Sequence, residues 1–264
     1  MNPNVVKTLL LYVSNKSGTE MYNDIHKECP KDIEDRFFLL LNKHISNNIP
    51  IQYIIGHTYF YGVKLNVNES VLIPRWETEE LVENILIYYD NIFKPNNIKV
   101  LDLGTGSGAI ALALKNEEKA MDVYATDISE DALEIARLNA KENNLDVKFS
   151  KGSWFDAVDP KMKFDIIVSN PPYLMNNEYV EDIVKNNEPH VALYGGDDGL
   201  DFYKEILKNA SNYLNKDKFI IAFEHGYDKK EELNKIIRVY FKTEKIVNLK
   251  DSNGLDRMTF IIKE

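Results

Sequence analysis

Apolar positions in the first fifty residues recur at helical spacing. Val5, Val6, Leu9, Leu10 and Val13 fall on one face of a helix. Asp32 is placed to cap a second helix, with Ile33, Phe37, Leu40 and Leu41 on its buried side, and Pro50 closes the region. The period then shortens. Tyr59, Tyr61, Val63, Leu65 and Val67 alternate as in a strand or hairpin, followed by Pro74. From Lys99 onward strands and helices take turns: strands at Lys99–Leu103, Met121–Thr126, Val147–Ser150, Phe164–Ser169 and Phe219–Glu224, and helices at Ala109–Lys115, after Ser129, at Asp201–Leu214 and at Lys229–Tyr240. Two last strands, Lys245–Leu249 and Met258–Ile262, flank the turn signal Asn253-Gly254. Strand–helix alternation predicts an open, mostly parallel α/β sheet covered on both faces, with an antiparallel edge. Three parts are expected: a small helical N-terminal domain over 1–56, a β-hairpin connector over 57–74, and the main domain over 75–264.

Composition narrows the class. The chain has 264 residues, 44% hydrophobic and 28% charged, enough apolar material for a true core. Its longest apolar runs, such as Phe37–Leu41, fall far short of the roughly 20 residues a membrane span needs. Residues 1–30 hold no signal-peptide pattern, because Lys7, Lys16, Glu20 and Asp24 interrupt any apolar stretch, so a cytoplasmic protein is expected, away from membranes. The single cysteine, Cys29, excludes an internal disulfide and a cysteine-built zinc site. The five histidines are scattered, and no metal is expected. Residues 1–70 carry seven basic and seven acidic side chains, so the whole net charge of −10 lies in the remainder. Nucleic-acid binders usually present a basic face, so this balance argues against DNA or RNA as the principal substrate.

Two segments carry candidate chemistry. Asp102-Leu103-Gly104-Thr105-Gly106-Ser107-Gly108 ends a strand and opens a helix, where glycines let the backbone turn sharply and approach a ligand. NAD, FAD and S-adenosylmethionine sites all use such a turn; a phosphate loop is excluded, because no Lys-Ser/Thr pair follows the last glycine. About twenty residues on, Asp127 ends the next strand, where a carboxylate either accepts from two ribose hydroxyls or stabilises a helix start. The second segment is Asn170-Pro171-Pro172-Tyr173, directly after a strand. Consecutive prolines fix φ and delete two donors, leaving the Asn170 side chain and the Pro171 carbonyl as neighbouring acceptors suited to a planar –NH2 group. Tyr173 can supply an aromatic wall.

These segments resemble class I S-adenosylmethionine-dependent methyltransferases that act on amino or amide nitrogens. Leu72-Ile73-Pro74-Arg75-Trp76-Glu77-Thr78-Glu79, Ser153-Trp154-Phe155, Val168–Tyr173 and Glu224-His225-Gly226 are similar to the release-factor glutamine methyltransferases, as is Pro50-Ile51-Gln52-Tyr53-Ile54-Ile55-Gly56. Trp76 stands where that family's pattern has proline, and Ser107 where threonine is also common. The resemblance implies a Rossmann-like methyltransferase domain over 75–264, a substrate-recognition role for 1–56, and S-adenosylmethionine as cofactor. The target it implies is the glutamine side-chain amide in the Gly-Gly-Gln tip of class-1 peptide release factors. Residue by residue, it implies that Gly104, Thr105, Gly106, Ser107 and Gly108 hold the cofactor's methionine and ribose side, that Asp127 takes the ribose hydroxyls, and that Trp154 lies near the adenine. It also implies that Asn170 borders cofactor and substrate, and that Pro171, Pro172 and Tyr173 complete the glutamine site.

Read from the residues alone, Trp154 could equally pack beside Phe155, and Glu77, Thr78 and Glu79 read as the acidic start of a helix. His225 reads as structural and Arg257 as a loop tether. A monomer is expected. Three other readings remain: an adenine-N6 nucleic-acid methyltransferase, which needs a basic groove and base flipping; a binding module with a vestigial site; and a nicotinamide dehydrogenase, which leaves Asn170–Tyr173 unused.

Overall fold

A computed structural model describes residues 3–264. The chain forms two compact units: one runs to His57 and includes Val180–Asn187, and the other holds Thr58–Tyr179 and Glu188–Glu264. The first unit contains α1 (Pro3–Ser14), α2 (Gly18–Asn23), α3 (Lys31–Asn47) and α4 (Ile51–Ile55). Its core is small: Leu9 and Val13 of α1 meet Phe37 and Leu41 of α3, with Ile33, Leu40, Ile51 and Ile55 packed around them. Three local readings need correction. Asp32 does not cap α3; the helix starts one residue earlier, after Pro30, and Asp32 lies in its first turn, where a carboxylate favours the helix dipole. Pro50 does not close the region, because it precedes α4, which ends at Gly56 in the left-handed conformation. The helix α2 escaped periodicity because it is only six residues long. A capping box starts it, in which Ser17 Oγ accepts from the Glu20 amide at 3.2 Å and the Glu20 carboxylate accepts from the Ser17 amide at 2.8 Å.

A two-stranded ribbon follows, β1 (His57–Phe60) and β2 (Val63–Asn66). Its two-residue turn, Tyr61-Gly62, has φ of 45° and 78°, the left-handed pair that matches strand twist. That turn places Phe60 opposite Val63 on one face. Phe60, Val63, Leu65 and Val67 are therefore buried, and Tyr59 is exposed. Phe60, Val63 and Leu65 join the main core.

The remaining elements are α5 (Trp76–Ile92), β3 (Ile98–Leu103), α6 (Ala109–Glu117), β4 (Met121–Asp127), α7 (Glu130–Glu142), β5 (Val147–Lys151) and β6 (Ile166–Ser169). After α8 (Asp182–Lys185), which belongs to the first unit, come α9 (Asp201–Ala210), β7 (Phe219–Glu224), α10 (Lys230–Tyr240), β8 (Lys245–Lys250) and β9 (Asp256–Lys263). Seven strands form one sheet in the order β5-β4-β3-β6-β7-β9-β8. The first five are parallel, and β9 runs antiparallel to both neighbours. This is an open, mostly parallel α/β sheet with an antiparallel edge, as the alternation predicts. The central strands β6 and β7 are buried along their whole length because both faces are covered. On β7, Ile220 and Ala222 enter one core, while Phe219, Ile221 and Phe223 enter the other.

Two element ends differ from the sequence reading for a common reason. The Phe164 and Leu214 backbones form an isolated bridge, so β6 begins only at Ile166 and α9 ends at Ala210. No helix among the described residues is long and apolar enough to cross a membrane. The strand order reverses direction between β4 and β6, on either side of β3. Open α/β sheets bind ligands at such a switch point, beyond the carboxyl ends of the strands.

Candidate active site

The segments singled out in the sequence meet at that edge. A cleft is lined by Gly104, Thr105, Gly106, Ser107, Asp127, Trp154, Asn170 and Pro172, with Arg75 and Thr78 from the segment around the start of α5. Gly108, Pro171 and Tyr173 adjoin these residues in the chain but are not among those that line the cleft.

The glycine loop is held by backbone groups. Gly104 and Thr105 both donate to the Thr126 carbonyl, at 2.9 and 3.0 Å, which ties the end of β3 to β4. Gly104, Gly106 and Gly108 have φ of 74°, 56° and 85°. At Gly108 the restriction is also steric, since a Cβ would sit 3.1 Å from Leu112 and 3.3 Å from Ala136. The side chain of Thr105 turns inward and donates to Asp102 Oδ2 at 2.6 Å. Asp102 is fully buried, its Oδ1 makes no hydrogen bond, and burial pushes its carboxyl up to about 7.

Asp127 receives the Gly106 amide on Oδ2 at 2.8 Å and the Ser129 amide on Oδ1 at 2.9 Å. Each oxygen keeps a lone pair for a ligand. Burial raises its pKa, opposed by the backbone amides of Ser129, Gly106 and Ile128. Its position follows from β4 ending where Ser129 caps α7 and accepts the Ala132 amide. Trp154 lies over Gly104: a Cβ on that glycine would be 3.5 Å from the indole. The indole Nε1 donates to Glu205 at 3.1 Å, and the ring meets Phe202 at 5.1 Å between centroids.

Opposite, the site is made of side chains. Asn170 Nδ2 donates to Thr78 Oγ1 at 3.1 Å, and Thr78 Oγ1 donates to Glu224 Oε2 at 2.7 Å. Tyr173 donates to Glu224 Oε1 at 3.4 Å. Burial pushes the Tyr173 hydroxyl well up, which keeps it a neutral donor. Arg75 pairs with buried Glu188 at 2.6 Å, while the Ile73 amide donates to the other Glu188 oxygen at 3.1 Å. This pair fixes the segment before α5, and Trp76 takes the first helical position, exposed, where proline also fits.

Thr78, Glu224 and Glu188 carry no role in the sequence reading. Thr78 and Glu224 lie within the family-like segments 72–79 and 224–226, but nothing in their local spacing shows that they meet across 146 residues. His225 is buried, with its ring nitrogens against the Gly226 carbonyl and Thr259 Oγ1, each at 2.9 Å. Arg257 donates to Asp251 at 3.2 Å, across the closing turn.

Comparison with known proteins agrees with this geometry. The methyltransferase small domain family matches residues 85–195. The release factor glutamine methyltransferase of Bacillus anthracis is 38% identical over 260 residues, spanning 97% of this chain and 91% of that one. The Streptococcus pneumoniae protein of the same name is 41% identical over 251 residues, spanning 94% and 88%. Among solved structures, a Pyrococcus furiosus methyltransferase shares the fold with a TM-score of 0.55 at 22% identity, covering 87% of this chain and 98% of that one. With near-full-length relatives at this identity and a glycine-loop cleft at the sheet's switch point, the chain belongs to the release factor glutamine methyltransferase family.

Proposed function

We propose that this enzyme transfers a methyl group from S-adenosylmethionine to the side-chain amide nitrogen of a glutamine, the one in the Gly-Gly-Gln tip of class-1 peptide release factors. The residues present fit that cofactor. Gly104 leaves room beside the Trp154 indole that a side chain would fill, and Asp127 keeps acceptor capacity on both oxygens. In this reading Gly104–Gly108 cradle the methionine and ribose side, Asp127 takes the ribose hydroxyls and Trp154 borders the adenine. When bound, the cofactor supplies an electrophilic methyl group on a positively charged sulfur.

The observation that carries the reading is the orientation of Asn170. With Nδ2 given to Thr78, Oδ1 is left for the cleft, and no described residue donates to it or to the Pro171 carbonyl. An amide nitrogen is a poor nucleophile because its lone pair is delocalised into the carbonyl. Two acceptors on its hydrogens hold it in place and favour the positive charge that develops as the new bond forms. Positioning alone can contribute up to roughly 7–11 kcal/mol. No strong base need act first, because the nitrogen's proton becomes acidic only as the methyl group arrives.

The acidic balance of residues 71–264 favours a protein over a nucleic acid as partner. We assign recognition of that protein to residues 1–56, the helical part with no catalytic motif. A release-factor target places the reaction in the cytoplasm, and one chain carries every residue invoked, so a monomer suffices. Incubation of a class-1 release factor with enzyme and S-adenosylmethionine, followed by peptide mapping, tests the reading. One added methyl on the Gly-Gly-Gln peptide is expected; an unmodified factor, or a methyl on another residue, overturns it.

A further inference from the structure

Asn170 can present its acceptor only if its amide is held one way round. A planar amide turned over would offer –NH2 to the substrate's own –NH2, donor against donor. Among the described residues, the glycine loop does not hold it, and its side-chain partner is Thr78.

The topology brings the holding group there. β6 and β7 are parallel neighbours, with Ser169 opposite Phe223, so Asn170 and Glu224 come next, side by side at the carboxyl edge. The first turn of α5 lays Thr78 between them. Thr78 is 4% exposed and Glu224 1%, so water does not replace these bonds.

Proton counting then decides the orientation. A threonine hydroxyl has one hydrogen, and an ionised carboxylate only accepts. With that hydrogen given to Glu224, Thr78 Oγ1 can only accept, and the group it accepts from must be Nδ2. We propose that Thr78 and Glu224 are positioning residues that lock the Asn170 amide with Oδ1 toward the substrate. This rests on the amide-methylation reading above.

The lock depends on the charge of Glu224. Once protonated, that carboxyl has a hydrogen to give, the Thr78 hydroxyl can reverse, and the amide is free to turn over. The charged and titratable groups facing Glu224 are Tyr173 after β6, Arg257 on β9, Glu77 on α5 and buried Tyr203 on α9. The Tyr203 hydroxyl donates to the Glu224 backbone carbonyl at 2.7 Å and stays neutral because burial raises its pKa. Buried His225 adjoins it, but its ring is engaged with Gly226 and Thr259. Burial dominates and pushes Glu224 up to about 7, against the pull of the Thr78 hydroxyl and Arg257. The locked fraction therefore rises as pH rises through that value.

The closing experiment has two arms. In the first, the side-chain amide signals of Asn170 are followed by nuclear magnetic resonance in the full chain without substrate. A pH-dependent shift with a midpoint near 7 is expected, and it should vanish in Glu224→Gln, which accepts but cannot titrate. In the second, kcat for release-factor methylation is measured against pH. Thr78→Val should lower it about tenfold at unchanged S-adenosylmethionine affinity, Thr78→Ser should restore it, and Glu224→Gln should flatten the acid limb. An Asn170 signal that ignores pH, an acid limb that persists in Glu224→Gln, or a Thr78→Val enzyme at the wild-type rate overturns the proposal. Failure of the wild-type enzyme to methylate the factor would instead overturn the amide-methylation reading, and the first arm does not depend on that reading.

Discussion

The two walls of the cleft share one sheet edge but are built from different material. On the β3–β4 side, the wall rests largely on backbone: Gly104 and Gly106 with left-handed φ, two amides on the Thr126 carbonyl, and Asp127 held by amides. On the β6–β7 side, Asn170 and Thr78 line the cleft and are joined by side-chain hydrogen bonds to buried Glu224 and on to Tyr173, a network drawn from three separate segments. Backbone geometry does not titrate and has no rotamers to lose. A side-chain network has both properties. The first wall is thus suited to holding a cofactor whose shape does not change, and the second to polarising the group that reacts.

This division is open to attack by substitution. The largest effect is expected at Asn170. Asn170→Ala removes an acceptor aimed at developing charge, and loss of one comparable preorganised group costs about 10²–10³ in rate. Single-turnover transfer with both ligands saturating is the measurement, and Asn170→Asp should also fall below wild type, because its charge can draw the sulfonium into an unproductive pose. Asp127→Ala should act on the other wall. Two hydroxyls lose a charged acceptor, a contribution of about 1.5–3 kcal/mol, read as weaker S-adenosylmethionine binding by calorimetry.

A third expectation concerns stability. Asp102 and Glu224 both have folded pKa values raised to about 7, above their unfolded values. The native state then binds more protons, so the stability they contribute is complete below the unfolded pKa and is lost as pH rises through about 7. Thermal unfolding should show Tm falling across that window, and Asp102→Asn should shallow the slope. The smallest effect is expected in the helical unit. Phe38 and Ile45 are exposed, 57% and 56%, and one helical face apart by seven residues. If this unit positions the protein substrate, Phe38→Ser with Ile45→Ser should raise KM for an intact release factor severalfold and leave kcat unchanged. A cut at Val71 is the poorer probe, because it removes Phe60, Val63 and Leu65 from the main core.

What could be read in the sequence follows the same division. Sheet strands and the glycine loop announce themselves locally, since apolar runs and Gly104-Thr105-Gly106 require no distant partner. Ser129 as a cap and the antiparallel edge were legible for the same reason. The alternation from Tyr59 to Val67 shows a hairpin but not that Phe60, rather than Tyr59, is buried, because a two-residue left-handed turn resets the inward face. Thr78 and Glu224 stayed hidden because a buried polar bond across 146 residues leaves no periodic trace. So did the membership of Val180–Asn187 in the first unit, where the Asn187 side chain donates to the Asn48 carbonyl at 2.8 Å.

The most direct test of separable walls is calorimetric titration of S-adenosylmethionine into Asn170→Ala beside the wild-type chain. The account predicts the same Kd for both, with the defect confined to transfer. A Kd weakened as far as that of Asp127→Ala would contradict it and place Asn170 among the groups that hold the cofactor.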